Sequence, residues 1–164
     1  MKSIRKIIIL IIIPIAMSFF LKLDFVEDNH FNLITVNAVF IGFLFTSLSI
    51  MLGFLNESII QFFEKAGVLK KVYNNIEKGI FYSIISVVLS LINLTISEKY
   101  ISDQTIINLL YSTELFFLIA TIYCLLYTIK DLKIVVDSIR ISKVKKAEKE
   151  KADSELDNIL KDNR

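Results

Sequence analysis

Long uncharged runs alternate with short charged segments along the chain, a pattern that is typical of a membrane protein. A hydrocarbon core of about 30 Å is crossed by roughly 20 apolar residues in a helix. Four runs of this kind predict four spans, and the last of them contains one acid, Glu114. The predicted spans cover residues 7–26, 31–55, 79–97 and 104–129.

The first run is the shortest and has an alternative interpretation. Its uncharged part ends at Leu21, and Leu23, Phe25 and Val26 extend the apolar character past Lys22. A basic start followed by an apolar stretch and small residues also resembles a cleaved signal peptide. Because apolar residues continue beyond the place where cleavage would fall, we expect a span.

The distribution of Lys and Arg predicts that both termini lie in the cytoplasm, because positively charged segments resist translocation. The N-terminal segment, the loop between the second and third spans and the segment from Lys130 onward carry nearly all of the 19 basic residues. The other two loops carry only Lys22 and Lys99. We therefore expect an all-α fold: a four-helix membrane bundle in residues 1–130 and a charged, helical cytoplasmic tail in residues 131–164.

The segment from Ile59 to Ile76 has apolar residues at helical spacing among charged ones. It predicts an amphipathic elbow on the cytoplasmic side, broken at Gly67 into two short helices. Its apolar face is expected on the inner leaflet, or alternatively packed under the bundle. After Ile129 the helical pattern continues, so the fourth helix should project into the cytoplasm.

Composition argues against an enzyme. Hydrophobic residues make up 54% of the chain, the mean hydropathy is +0.61 and only 22% of residues are charged. One cysteine, Cys124, and one histidine, His30, do not by themselves supply a disulfide, a metal cage or a Cys/His pair. The four glycines are too dispersed for a phosphate-binding loop. We expect no enzymatic activity, no cofactor and no metal site.

Small and hydroxyl residues repeat every three or four positions in the spans, and such stripes mark helix faces that contact protein or water. The stripe on the third span, with Glu114, is a candidate pore lining or helix-packing face, and a pore would require several protomers. The stripe on the second span is a candidate close-packing face. The first set is Ser83, Ser86, Ser90, Asn93 and Glu114, and the second is Ala38, Gly42, Thr46, Ser49 and Gly53.

Glu114 is a functional candidate because burying a carboxylate in a membrane costs several kcal/mol. It lies near the midplane or at the outer interface, depending on where the fourth span enters the lipid. If it is buried, we expect it to be protonated or bonded to Asn93 or to a neighbouring subunit.

The charged tail predicts contacts at the cytoplasmic surface. Its first part is mainly basic, which suits anionic lipid. Farther along the signs alternate, as in a solvated helix and not a nucleic-acid patch, and we expect a cytoplasmic protein partner there. The candidate lipid or partner contacts are Lys130, Lys133, Arg140, Lys143, Lys145 and Lys146.

The segment from Ile41 to Phe54 reads Ile-Gly-Phe-Leu-Phe-Thr-Ser-Leu-Ser-Ile-Met-Leu-Gly-Phe. It resembles the leading span of small four-helix inner-membrane proteins carried by bacterial anti-phage and CRISPR-accessory loci. The resemblance implies a homo-oligomeric effector or channel-like subunit that perturbs the membrane when a cytoplasmic partner senses infection. The alternatives are a non-conducting binding protein, such as a toxin-immunity protein or an anchor for a soluble partner, and a small proton-coupled transporter using Glu114.

Overall fold

The computed structural model describes residues 12–20, 23–54, 58–65, 67–97, 101 and 103–162. This part of the chain is almost entirely helical and contains no strand. The helices are α1 (residues 12–20), α2 (Asp24–Glu27), α3 (His30–Gly53), α4 (Ser58–Lys65), α5 (Val68–Ile92) and α6 (Gln104–Asp162). A five-residue π-helical turn, Asn93–Ser97, follows α5.

Three stretches of the described chain are long and apolar enough to cross a membrane: His30–Gly53, Val68–Thr95 and Gln104–Glu155. They contain or match the second, third and fourth predicted spans. Large apolar side chains such as Phe31 and Val39 point away from the protein and are exposed. The prediction of an all-helical membrane protein is therefore confirmed for these three spans.

Of the first predicted span, residues 7–26, the structure describes residues 12–20 and 23–26, which do not form one described helix. Residues 12–20 are helical, and the other residues of this span up to residue 22 lie outside the described part. Leu23 is not helical, and α2 begins after it as a separate element. The side chains of Leu23 and Val26 are buried in a cluster with α3 and α6, so their apolar character reflects this contact and not a continuing span.

The elbow between the second and third spans differs from its prediction in two respects. Gly67 has a φ of 72°, which glycine adopts without strain, and the predicted break at this residue is confirmed. The second half of the elbow is not a separate short helix, because α5 runs unbroken from Val68 to Ile92. Ile60, Leu69 and Val72 are buried in the protein, so this apolar face packs under the long helices instead of on the leaflet.

Helix α5 lies between α3 and α6 and packs against both. Two apolar clusters pack the helices, one toward each end of α3, and we call these levels the His30 end and the Gly53 end. The cluster at the His30 end joins α2 and α3 to α6, and the cluster at the Gly53 end joins α3, α4, α5 and α6. The His30 end contains Leu23, Val26, Leu33, Tyr111 and Leu118, and the Gly53 end contains Leu44, Met51, Ile60, Leu69, Val72, Ile76, Val135 and Ile139.

Gly79 allows the three long helices to meet between the two ends. A Cβ atom at Gly79 would lie 2.8 Å from Leu44 Cδ1 of α3 and 3.2 Å from Cys124 Cβ of α6. Leu44 itself is fully buried. Side chains therefore fill the interior at this level, as expected for a close-packed protein core.

Helix α6 continues without a break from the predicted fourth span into the charged tail. Its 59 residues correspond to about 90 Å at 1.5 Å per residue. Val135 and Ile139 are still buried against α4 and α5, and the residues from Lys143 to Glu155 are exposed. The predicted helical tail is confirmed as far as Asp162, and no break separates residues 130 and 131.

Candidate functional site

Glu114 is fully buried at the His30 end, where its carboxylate contacts three side chains. Ser90 Oγ donates a hydrogen bond to Oε1, and Asn93 Nδ2 donates to Oε2 at 2.6 Å. His30 Nδ1 lies 2.9 Å from Oε2 and 3.2 Å from Oε1. His30 is 4% exposed and Glu114 is 0% exposed. The cluster is therefore a His–Glu pair that is shielded from solvent and supported by two polar partners.

Three helix positions bring this cluster together. His30 is the first residue of α3, whereas Ser90 and Asn93 lie at the far end of α5. Glu114 lies on α6 about 15 Å from its start at Gln104. The carboxylate is thus level with the ends of α3 and α5 and not with their centres. The π-helical turn begins at Asn93, and such turns frequently occur at functional sites.

A second group of polar side chains extends the network toward the middle of the helices. Ser83 Oγ donates to Asn37 Oδ1 at 2.8 Å, and Asn37 Nδ2 donates to Ser86 Oγ at 3.0 Å. Ser86 Oγ in turn donates to the backbone carbonyl of Glu114 at 3.2 Å. Ser83, Ser86, Ser90 and Asn93 share one helix face because they are spaced by three or four residues. This face connects α5 to both neighbouring long helices.

The five residues predicted as a pore lining or a helix-packing face thus belong to one network inside a single protomer. Ser83, Ser86 and Ser90 are 0% exposed, and Asn93 is 2% exposed. Their hydrogen bonds described above run to α3 and α6 of the same chain. Within the protomer they pack helices together and do not face a lumen. Glu114 bonds to Asn93, which was one of the alternatives expected for a buried carboxylate.

The residues predicted as a close-packing face lie on the exposed side of α3. Ala38, Gly42, Thr46, Ser49 and Gly53 are all exposed, so they do not pack inside the bundle as described. A Cβ atom at Gly42 or Gly53 would meet no atom within 4 Å. The hydroxyls of Thr46 and Ser49 donate to carbonyls four residues earlier in their own helix. This face therefore carries only small side chains, and the hydroxyl groups of Thr46 and Ser49 already donate hydrogen bonds within α3.

The six candidate lipid or partner contacts lie along the C-terminal half of α6. Each of these basic side chains is exposed, and they follow the helix from the predicted membrane boundary into the tail. They do not contribute to the buried network. They are Lys130, Lys133, Arg140, Lys143, Lys145 and Lys146.

Two residues of the network were missed in the sequence. His30 was considered only as a metal or Cys/His partner, although a lone histidine at the start of a span is an ordinary partner for a buried carboxylate. Asn37 lies outside the small-residue stripe of its helix, on the face that carries Leu33 and Leu44. A polar amide among core leucines was the available signal, because a buried amide requires hydrogen-bond partners.

The ionisable groups of this site are one imidazole and one carboxylate. Within the described residues, no three His, Cys, Asp or Glu side chains form a group that would hold a metal ion. The imidazole and carboxylate both exchange protons, whereas Ser90, Asn93, Asn37 and the other serines supply fixed hydrogen bonds. The arrangement therefore fixes three helices around one titratable pair.

The fold and the site together define a helical membrane protein with a buried polar network. No protein family, no curated protein and no solved structure matches the chain. Geometry and physical chemistry are therefore the basis for assigning a function.

Proposed function

We propose that the protein is a non-enzymatic, homo-oligomeric membrane anchor that presents its long C-terminal helix to a soluble partner. Following the distribution of basic residues, we assign it to the bacterial inner membrane as a multi-pass protein with four spans and both termini in the cytoplasm. The observation that carries the proposal is that α3 has two opposite faces, one buried in the protomer and one small, smooth and exposed.

The two faces are opposite because of helix geometry. Gly42 and Leu44 are two residues apart, which is about 200° around an α-helix. The face of Leu44 is buried against α5 and α6, and the face of Gly42 is exposed. Small residues let two helix backbones approach closely in lipid, where packing replaces the hydrophobic effect as the driving force. A second copy of α3 is therefore the occupant that this face fits best.

Association of the membrane helices would also bring the cytoplasmic helices together. Helix α6 carries both Glu114 and the charged tail, and it is unbroken between them. Exposed basic residues near the predicted membrane boundary suit anionic headgroups. The mixed charges beyond Lys146 remain solvated and provide a surface for a partner.

Disulfide crosslinking in native membranes tests the proposal. In a Cys124→Ala background, Thr46→Cys places a thiol on the exposed small-residue face, and Phe43→Cys places one on another exposed side of α3 at nearly the same depth. We expect a membrane-permeant oxidant to give dimers from the Thr46→Cys protein and few from the Phe43→Cys protein.

Two outcomes would count against this assembly. Equal crosslinking at both positions would indicate random collision, and a monomer at Thr46→Cys would show that the face is covered by lipid. Gly42→Leu combined with Thr46→Cys provides a further control, because Gly42 is exposed and a Cβ atom there meets no other atom of the protomer within 4 Å. It should lower crosslinking without unfolding the chain.

A membrane-perturbing effector is the second candidate function. The position of the α5 serines determines where ions could cross the membrane in such an effector. Since Ser83 and its neighbours are buried within the protomer, a path for ions would have to form between protomers. Thr35, Thr46 and Ser49 supply the exposed hydroxyls on α3. Ion flux through liposomes that contain crosslinked Thr46→Cys oligomers would favour the effector, and tight liposomes with the same oligomers would favour the anchor.

A further inference from the structure

The His30 ring presents two nitrogens to very different surroundings. Nδ1 faces the Glu114 carboxylate at 2.9 Å, a separation that requires one hydrogen between the two atoms. Ser90 and Asn93 donate to the same carboxylate, so both of its oxygens already act as hydrogen-bond acceptors. The hydrogen is therefore best placed on Nδ1, so that the ring donates to Glu114.

The second nitrogen decides the charge of the cluster. His30 Nε2 is buried and has no hydrogen-bond partner among the described residues. Without a hydrogen on Nε2 the ring is neutral, and the buried cluster carries the whole charge of the carboxylate. With a hydrogen on Nε2 the ring is an imidazolium, and the pair is neutral overall. A buried net charge is costly unless an opposite charge is next to it.

The charged groups around the site are acidic where the structure describes them. The charged side chains described at the His30 end on α2 and just before α6 are Asp24, Glu27, Asp28 and Asp103, which are all acidic and exposed. The residues from Ser83 to the end of α5 at Ile92, and those of the π-helical turn, carry no charge. Tyr111 of α6 contacts the imidazole with its ring centroid 5.1 Å away and at 60°.

We propose that His30 and Glu114 form a buried proton-binding site. The Nε2 lone pair takes up one proton from water, an N–H bond forms, and the cluster changes from net negative to neutral. Side chains fill the interior where Leu44, Gly79 and Cys124 meet, so the site is a terminus for the proton and not part of a continuous path through the protomer.

The chain contains a single histidine, which makes the charge state directly measurable. Full-length protein carrying ¹⁵N-histidine and no histidine tag would be placed in lipid nanodiscs and recorded by NMR at neutral pH. We expect both ring nitrogens of the wild-type protein to show protonated resonances. Glu114→Gln keeps the size and an acceptor but removes the charge, and it should convert one nitrogen to the unprotonated type.

The controls separate this charge effect from a loss of folding. Glu27→Gln removes an exposed acid at the same end and should leave both nitrogens protonated. If the Glu114→Gln protein does not fold, the wild-type spectrum still decides the matter. A neutral wild-type ring at neutral pH would overturn the proposal, and so would a doubly protonated ring that persists in folded Glu114→Gln protein.

Discussion

Replacing Glu114 by leucine should destabilise the membrane domain by about 2 to 5 kcal/mol. The substitution nearly preserves side-chain size but removes the carboxylate to which Ser90 Oγ and Asn93 Nδ2 donate and which His30 Nδ1 contacts. All three donors remain buried after the change. A destabilisation by lost hydrogen bonds, and not by a cavity, is therefore expected.

The magnitude follows from counting the three interactions in a membrane environment. Hydrogen bonds between transmembrane helices contribute about 0.6 kcal/mol on average and up to about 1.7 kcal/mol. Three of them give roughly 2 to 5 kcal/mol when added. Estimates from soluble proteins, about 1 to 3 kcal/mol for each unsatisfied buried group, would give more. The lower range applies because unfolded helices in a micelle also find partners for their polar groups.

The free energy of unfolding can be measured by titrating the protein from a mild detergent into SDS and following helical structure. Glu148→Leu is the matched control, since it makes the same chemical change at an exposed position of α6. That variant should stay within about 0.5 kcal/mol of wild type. If Glu114→Leu were no more destabilised than Glu148→Leu, the buried carboxylate would not hold the three helices together.

Three further predictions concern the helix faces and the topology. Gly42→Leu should weaken self-association in single-molecule photobleaching but leave the unfolding curve nearly unchanged, whereas Gly79→Leu should destabilise the protomer because Leu44 and Cys124 occupy the space for its side chain. Asn37→Leu leaves two buried serine partners on α5 and should cost about 1 to 3 kcal/mol in the same SDS titration. In a Cys124→Ala background, Ser154→Cys should react with an impermeant maleimide only in inside-out vesicles and Asp103→Cys only in right-side-out vesicles; the reverse would contradict the assigned topology.

The long helices could be predicted from the sequence because lipid places a simple requirement on any helix that crosses it. A helix that crosses hydrocarbon must be long, apolar and nearly uncharged, and the runs at residues 31–55 and 104–129 satisfy that rule without regard to packing. The end of the first run was harder to predict. Leu23 and Val26 look like lipid-facing residues but are core residues, and hydropathy does not distinguish the two.

The sequence also did not show which neighbour each helix face would contact. Small-residue stripes indicate contact with protein or water, but they do not say with which neighbour. The α5 stripe turns inward because Asn37, His30 and Glu114 offer partners for its hydroxyls and for Asn93. The α3 stripe is exposed because the opposite side of α3, which carries Leu44 and Met51, packs against α5 and α6. Both assignments depend on pairing between distant parts of the chain.

A double-mutant cycle on His30 and Glu114 addresses how the pair itself contributes to stability. Removing one partner of a buried ion pair costs about 3 to 5 kcal/mol, because it leaves a buried charge without compensation. Replacing both partners by apolar residues removes that penalty, and the remaining cost is mainly the loss of the hydrogen bonds that Ser90 and Asn93 donate to the carboxylate. His30→Leu combined with Glu114→Leu should therefore be more stable than His30→Leu alone in the SDS titration. Strictly additive losses would instead mean that the two side chains do not interact as charges, and the pair would then act only through its separate hydrogen bonds.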